Sequence, residues 1–211
     1  MEITSLSKYK GTTYEVEIDG SRKIYLHIDI ITDFGLGKGM ELERAELRKI
    51  IYASNFRRAY QYALYCLDYR DYSAEEMFSK LMKTYKSEKL CLDVIKKLAR
   101  TGLIDDSRYA EKLAMKLVGA KKYGYRRAKR EMLMKGLKED TVENALEAFG
   151  DVYGENLAEL LRSKHSRLLT DSGDRKSIEK VKSALVRYGY GFDEINRAVK
   201  QYFEDAEYAE E

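Results

Sequence analysis

The 211-residue chain has no proline and no tryptophan. Without proline there are no fixed helix breakers, so helices joined by glycine, serine and aspartate turns are expected. Cysteine occurs only as Cys66 and Cys91. Two isolated cysteines make neither a disulfide framework nor a Cys-x-x-Cys pair, which points to a reducing, cytoplasmic setting. No apolar run approaches the ~20 residues that span a bilayer, so no membrane partner is expected. The opening MEITSLSKYK lacks the basic-then-apolar layout of a secretory signal.

The chemistry of an active site is also missing. His27 and His165, the two histidines, have no Cys, Asp or Glu at ligand spacing. The stretch GLGKGM does not match a phosphate-cradling GxxxxGK followed by Ser or Thr. Asp105 and Asp106 stand together at a helix start, where carboxylates act as caps, and no convergent carboxylate set accompanies them. No metal, cofactor or catalytic residue is expected, and the chain does not read as an enzyme.

Charge and helical periodicity are abundant. Charged residues make up 36% of the chain with both signs mixed, for a formal net charge of +3. That balance hides an asymmetry. Residues 57–203 carry a net +9, residues 1–56 a net −1 and residues 204–211 a net −5. The last segment reads as a frayed acidic tail.

Residues 1–40 read as a small β-hairpin region. TYEVEIDGSRKIYLHIDI alternates on both sides of Asp19-Gly20, placing Tyr14, Val16 and Ile18 on one face and Ile24, Leu26, Ile28 and Ile30 on another. Residues 41–54 read as a connecting helix. From there the pattern is helical and repeats. YSAEEMFSKLMKTY, YGYRRAKREMLMKGL and KSIEKVKSALVRYGY align, with Ser73, Gly124 and Ser177 just before each helix at spacings of 51 and 53. Ser73 with Glu76, and Asp140 with Glu143, resemble capping boxes. The corresponding inward rows are Met77, Ala128 and Val181; Leu81, Met132 and Leu185; and Met82, Leu133 and Val186.

An apolar-periodic helix opens each unit and another closes it. The expected fold is therefore mainly α. Three tandem three-helix repeats (residues 55–102, 103–150 and 151–203) form an elongated curved array, ahead of the tail at 204–211.

The middle repeat concentrates cations. Lys121, Lys122, Arg126, Arg127, Lys129, Arg130 and Lys135 crowd around Glu131. The repeat alignment puts Arg126, Arg127, Lys129 and Arg130 between the inward positions. Like charges at i,i+3 and i,i+4 repel by a few tenths of a kcal/mol per pair, and cations oppose the positive end of a helix dipole. A solvated face accommodates such a cluster; a polyanionic partner relieves it. Arg57, Arg58, Lys96, Lys97 and Arg100 form a second basic group. Gly102, Leu103, Ile104, Asp105, Asp106 and Tyr109 read as a junction between repeats, with Gly102 ending one helix and Asp106 or Ser107 capping the next.

TGLIDDSRYAEKLAMKL, YSAEEMFSKLMK and KYGYRRAKREMLMKGL, together with the threefold repeat, resemble the RecX family over residues 55–203. The hairpin is similar to an extension found in some Gram-positive members. Three features depart from the family pattern: Tyr85 stands where the other repeats have Gly136 and Gly189, Tyr125 replaces a proline, and HSRLLTDSGDRKS lengthens the third repeat. The resemblance implies a monomeric bacterial cytoplasmic regulator in DNA repair, recombination and the SOS response. It implies binding to the RecA recombinase filament, contact with single-stranded DNA through that filament, and restraint of recombinase and ATPase activity. The basic composition alone also fits a RecA-independent nucleic-acid-binding helical repeat protein, and the repeat alone an adaptor for another protein.

Overall fold

The computed structural model describes residues 1–210, with side chains described through residue 207. Three strands and ten α-helices follow one another in these residues. Three strands come first, β1 (Ile3–Lys10), β2 (Thr13–Ile18) and β3 (Arg22–His27), then α1 (Ile28–Asp33) and α2 (Arg44–Tyr69). After them come α3 (Ala74–Tyr85), α4 (Glu88–Arg100), α5 (Asp106–Ala114), α6 (Tyr125–Leu133) and α7 (Glu139–Glu147). The chain ends with α8 (Val152–Leu160), α9 (Arg175–Tyr188) and α10 (Phe192–Glu210). α5 runs on into a π-helical segment at Met115–Ala120, and α8 into another at Leu161–His165. The contacts define two compact units. One holds Met1–Asp71 and Met77–Leu103; the other holds Tyr72–Glu76 and the chain from Ile104 onward.

In the first unit the strands form an antiparallel sheet in the order β1-β2-β3. The expected β2–β3 hairpin is present. Asp19 and Gly20 both take positive φ (51° and 68°), the geometry of a tight turn matched to strand twist. The sheet has a third strand, β1, which the hairpin reading missed; it turns into β2 at Gly11, also at positive φ. The alternation through Ile28 and Ile30 is not strand. His27 Nδ1 accepts the Asp29 N–H and starts α1, so Ile30 and Ile31 enter the core from a helix. That core joins Ile3, Val16 and Leu26 of the sheet to Ile30, Ile31, Leu36, Leu42 and Ile50.

No boundary falls between residues 54 and 55. α2 continues through both, so the expected connecting helix and the opening helix of the first repeat are one helix of 26 residues. α2, α3 and α4 bury Ala59, Ala63, Cys66, Met77, Leu81, Leu90, Cys91, Val94 and Leu98. Gly102 (φ 69°) ends α4 in the left-handed conformation, and the Leu103 N–H returns to the Leu98 carbonyl. Lys86, not Tyr85, holds the left-handed position after α3 (φ 51°), so the tyrosine that departs from the glycine pattern carries no backbone strain.

The second unit contains two three-helix cores. α5, α6 and α7 enclose Ala110, Ala114, Leu117, Val118, Ala128, Met132, Val142 and Leu146. α8, α9 and α10 enclose Leu157, Leu160, Leu161, Val181, Leu185, Tyr190, Ile195 and Val199. The third inward row of the sequence alignment turns outward in two repeats, with Leu133 39% exposed and Val186 37%, while Met82 is half-buried. Several caps also differ. α5 is capped by Asp105, which accepts the Arg108 N–H, while Asp106 accepts the Ala74 N–H at 2.8 Å and so caps α3. The N-cap of α9 is Asp174, which leaves Ser177 three residues inside the helix. Lys138, not Asp140, occupies the N-cap position of α7. α10 stays helical to Glu210, supported by Lys200–Glu204 and Gln201–Asp205 pairs one turn apart, whereas a frayed tail was expected from residue 204; Glu211 lies outside the described residues.

Candidate partner-binding face

The first turn of one repeat's second helix is seated on the last turn of the next repeat's second helix. This happens twice in the second unit. At the start of α3, buried Ser73 accepts the Glu76 N–H and donates its hydroxyl to the Lys135 carbonyl at the end of α6. At the start of α6, the Gly124 N–H donates to the Tyr188 carbonyl (2.8 Å) and the Arg126 N–H to the Gly189 carbonyl (3.3 Å) at the end of α9. Glycine is needed on both sides of this second joint. A Cβ on Gly124 would stand 2.6 Å from the Gly189 carbonyl carbon, and one on Gly189 would stand 2.4 Å from the Arg127 Cβ. Gly189 also sits at φ 98°, a conformation that side chains disfavour.

The joint explains why α6 tolerates cations at its positive end. The nearest helix terminus facing them is the carbonyl end of α9, which favours positive charge. Arg127 uses it directly: its Nη1–H donates to the Arg187 carbonyl at 3.0 Å. Its guanidinium lies 3.9 Å from the Tyr123 ring centroid, and its Nε stands 3.7 Å from Glu131 as an ion pair without a hydrogen bond. The Tyr190 hydroxyl, buried and pushed well above the ordinary tyrosine range by that burial, donates to the Lys122 carbonyl at 3.0 Å. The Lys122 ammonium pairs with Glu159.

The seven cations of the middle repeat therefore have different roles. Lys129 bridges Glu139 (2.6 Å) and Glu143 (2.7 Å), hydrogen bonds that hold its ammonium well above the usual lysine range. Lys135 reaches Glu76 at 3.2 Å. Lys121 stands over the Tyr123 ring. Arg126 and Arg130 are exposed, and no acid among the described residues lies within ion-pair distance of either. They are one turn apart on the side of α6 opposite Ala128 and Met132.

Leu133, which the sequence alignment placed inward, and Met134, which it did not place, share this side. Leu133 and Met134 follow Arg126 by seven and eight residues and Arg130 by three and four; Met134 is 75% exposed. The i+4 and i+8 spacing of Met134 from the two arginines was the available signal. Of the tyrosines flanking the cluster, Tyr123 is occupied by Arg127 and the edge of Tyr188, while Tyr125 touches the edge of Tyr153 and stays 39% exposed.

The second basic group also divides. Arg57 donates to Asp29 (2.9 Å) and contacts His27 Nε2 (3.0 Å), which ties α2 to α1. Arg58 is exposed elsewhere on α2. Lys96, Lys97 and Arg100 line an open groove of about 580 Å³ with Phe56, Asp93 and Thr101. Lys97 stacks over Tyr60 and Phe56, and Asp93 accepts the Tyr52 hydroxyl at 2.6 Å. Of the junction residues, Leu103 is 42% exposed rather than packed, whereas Ile104 is buried and Tyr109 packs on the core of α5–α7. No three His, Cys, Asp or Glu side chains among the described residues are grouped to hold a metal, and none of the described helices is long and apolar enough to cross a membrane.

Residues 105–146, which contain α5, α6 and α7, match the family model described as RecX, second three-helix domain. The chain is 28% identical over 203 residues to "Regulatory protein RecX" of Bacillus velezensis, covering 94% of this chain and 76% of that one. It is also 28% identical over 210 residues to "Regulatory protein RecX" of Clostridioides difficile, covering 98% of each. A crystal structure of regulatory protein RecX shares the fold with a TM-score of 0.73 at 23% identity, covering 95% of this chain and 98% of the other. Taken with the three-helix repeats and their glycine joint, these likenesses are to RecX regulatory proteins, and the RecX family is the one this chain resembles in sequence and fold.

Proposed function

We propose that this protein binds the RecA recombinase and RecA–single-stranded DNA filaments and restrains recombinase and ATPase activity by binding rather than by catalysis. The observation that carries the reading is the Arg126–Arg130 pair, exposed on α6 and left without an acid among the described residues while its neighbours are neutralised. Two guanidinium groups one turn apart offer paired, planar recognition of carboxylates. In this reading Arg126 and Arg130 touch the partner. Lys122, Arg127, Lys129 and Lys135 hold the helix ends that position them.

The test is RecA's DNA-dependent ATPase with the protein added below stoichiometry, alongside filament binding. Replacing Arg126 and Arg130 by Glu is expected to weaken filament binding and relieve inhibition with helical content unchanged. Full inhibition by a folded double variant overturns the role of this pair. A second reading, RecA-independent nucleic-acid binding, is favoured by the Lys96–Lys97–Arg100 groove on α4 beside Phe56. Tight, steeply salt-dependent binding to single-stranded DNA without RecA supports it.

A further inference from the structure

The open face of α6 has a mixed chemistry that discriminates among partners, and the inference drawn from it rests on the reading above. Arg126 and Arg130 occupy its first half; Leu133 and Met134, 39% and 75% exposed, occupy its second. A surface made for nucleic acid needs a run of open cations along the phosphates and free aromatic faces for bases. Neither is present. Four of the seven cations are engaged within the protein, Lys121 and Arg127 lie over Tyr123, and Tyr125, 39% exposed, meets the edge of Tyr153. Exposed Leu and Met contribute nothing to phosphate binding. Arg and Met are, however, enriched at protein interfaces, and methionine adapts its shape to the surface it meets.

We infer that the outward stripe Arg126–Arg130–Leu133–Met134 is a protein-recognition surface. Its partner surface is an amphipathic helix of the recombinase, with carboxylates one turn apart followed by apolar side chains. The acids pair with the two arginines, and the apolar side chains cover Leu133 and Met134. The length of the stripe, about two turns of α6, matches the anchor spacing of helix-to-helix docking. The contact of this face is therefore with the protein component of the filament and not with its DNA.

The experiment compares the full-length wild type with Leu133→Ser/Met134→Ser and with Met134→Ser alone. The single change touches only a side chain that is three-quarters exposed, so it stays informative if the double variant unfolds. Binding is measured to RecA without DNA, to RecA filaments on an oligothymidylate, and to the oligothymidylate alone. The expected result is a loss of RecA affinity of about tenfold for the double variant and several-fold for the single one, with and without DNA, and a change below twofold for the bare oligonucleotide. RecA affinity within twofold of wild type in the folded variants overturns the inference, as does a larger loss on the oligonucleotide than on RecA. Failure of the wild type itself to bind RecA overturns the reading under Proposed function instead.

Discussion

The Cβ of Arg127 occupies the space that a side chain on Gly189 would need: a Cβ there would stand 2.4 Å away. The two residues are 62 positions apart in sequence, yet the backbone and Cβ of Arg127 leave no room for a side chain at position 189. The backbone of α6 enters close to the end of α9 because Gly189 has no side chain, and the Arg127 guanidinium then covers the Arg187 carbonyl that this ending exposes.

Gly189→Ala combines the clash with a positive φ and is expected to destabilise the protein by roughly 3 kcal/mol, read as a lowered urea midpoint. Gly154→Ala is the contrasting case. Gly154 is exposed within α8, nothing lies within 4 Å of its added Cβ, and a gain of about 0.5–1 kcal/mol is expected. Equal effects at the two positions would show that the joint is not close-packed in solution.

Asn156 is a buried polar side chain, 7% exposed, whose Nδ2 donates to the Val118 carbonyl at 2.9 Å. Val118 lies in the π-helical end of α5, so this bond ties the third repeat to the second. Asn156→Ala is expected to cost about 1–3 kcal/mol in thermal or urea unfolding, through the lost bond and the unpaired carbonyl. A loss below 0.5 kcal/mol, on the order of the error of such measurements, would mean that water replaces the amide.

His165 has a buried Nε2 without a hydrogen-bond partner, and burial, followed by the adjacent Lys164, pushes its pKa below the ordinary 6.5. The neutral ring is therefore favoured in the folded state. Below pH 6.5 the unfolded chain takes up a proton that the folded chain resists. Stability is fully present above that pH and declines as pH falls through the window below it. Unfolding midpoints measured from about pH 7.5 to about pH 5 should fall more for wild type than for His165→Gln. Parallel curves would exclude the histidine as the source.

The repeat itself was legible in the sequence because the inward positions of a helix follow from local periodicity: Met77, Ala128 and Val181 are all fully buried. The caps were less legible. Asp106 caps α3 rather than its own helix, and Glu143 serves Lys129 rather than its own helix start, because in each case a neighbouring helix end supplies the better partner. Leu133 was misplaced because it directly follows buried Met132, and adjacency in sequence is 100° of rotation on a helix. The division of the cations into free and engaged was not legible at all. Lys135 finds its acid 59 residues away at Glu76, and only the packing of helix ends brings them together.

The lengthened loop ahead of α9 gives that helix a different start. The first turns of α3 and α6 rest on carbonyls lent by the following repeat, but α9 begins on Asp174, a carboxylate from its own approach, with its pKa lowered by the Ser177 hydrogen bonds. The start of α9 is thereby fixed by a carboxylate of its own repeat.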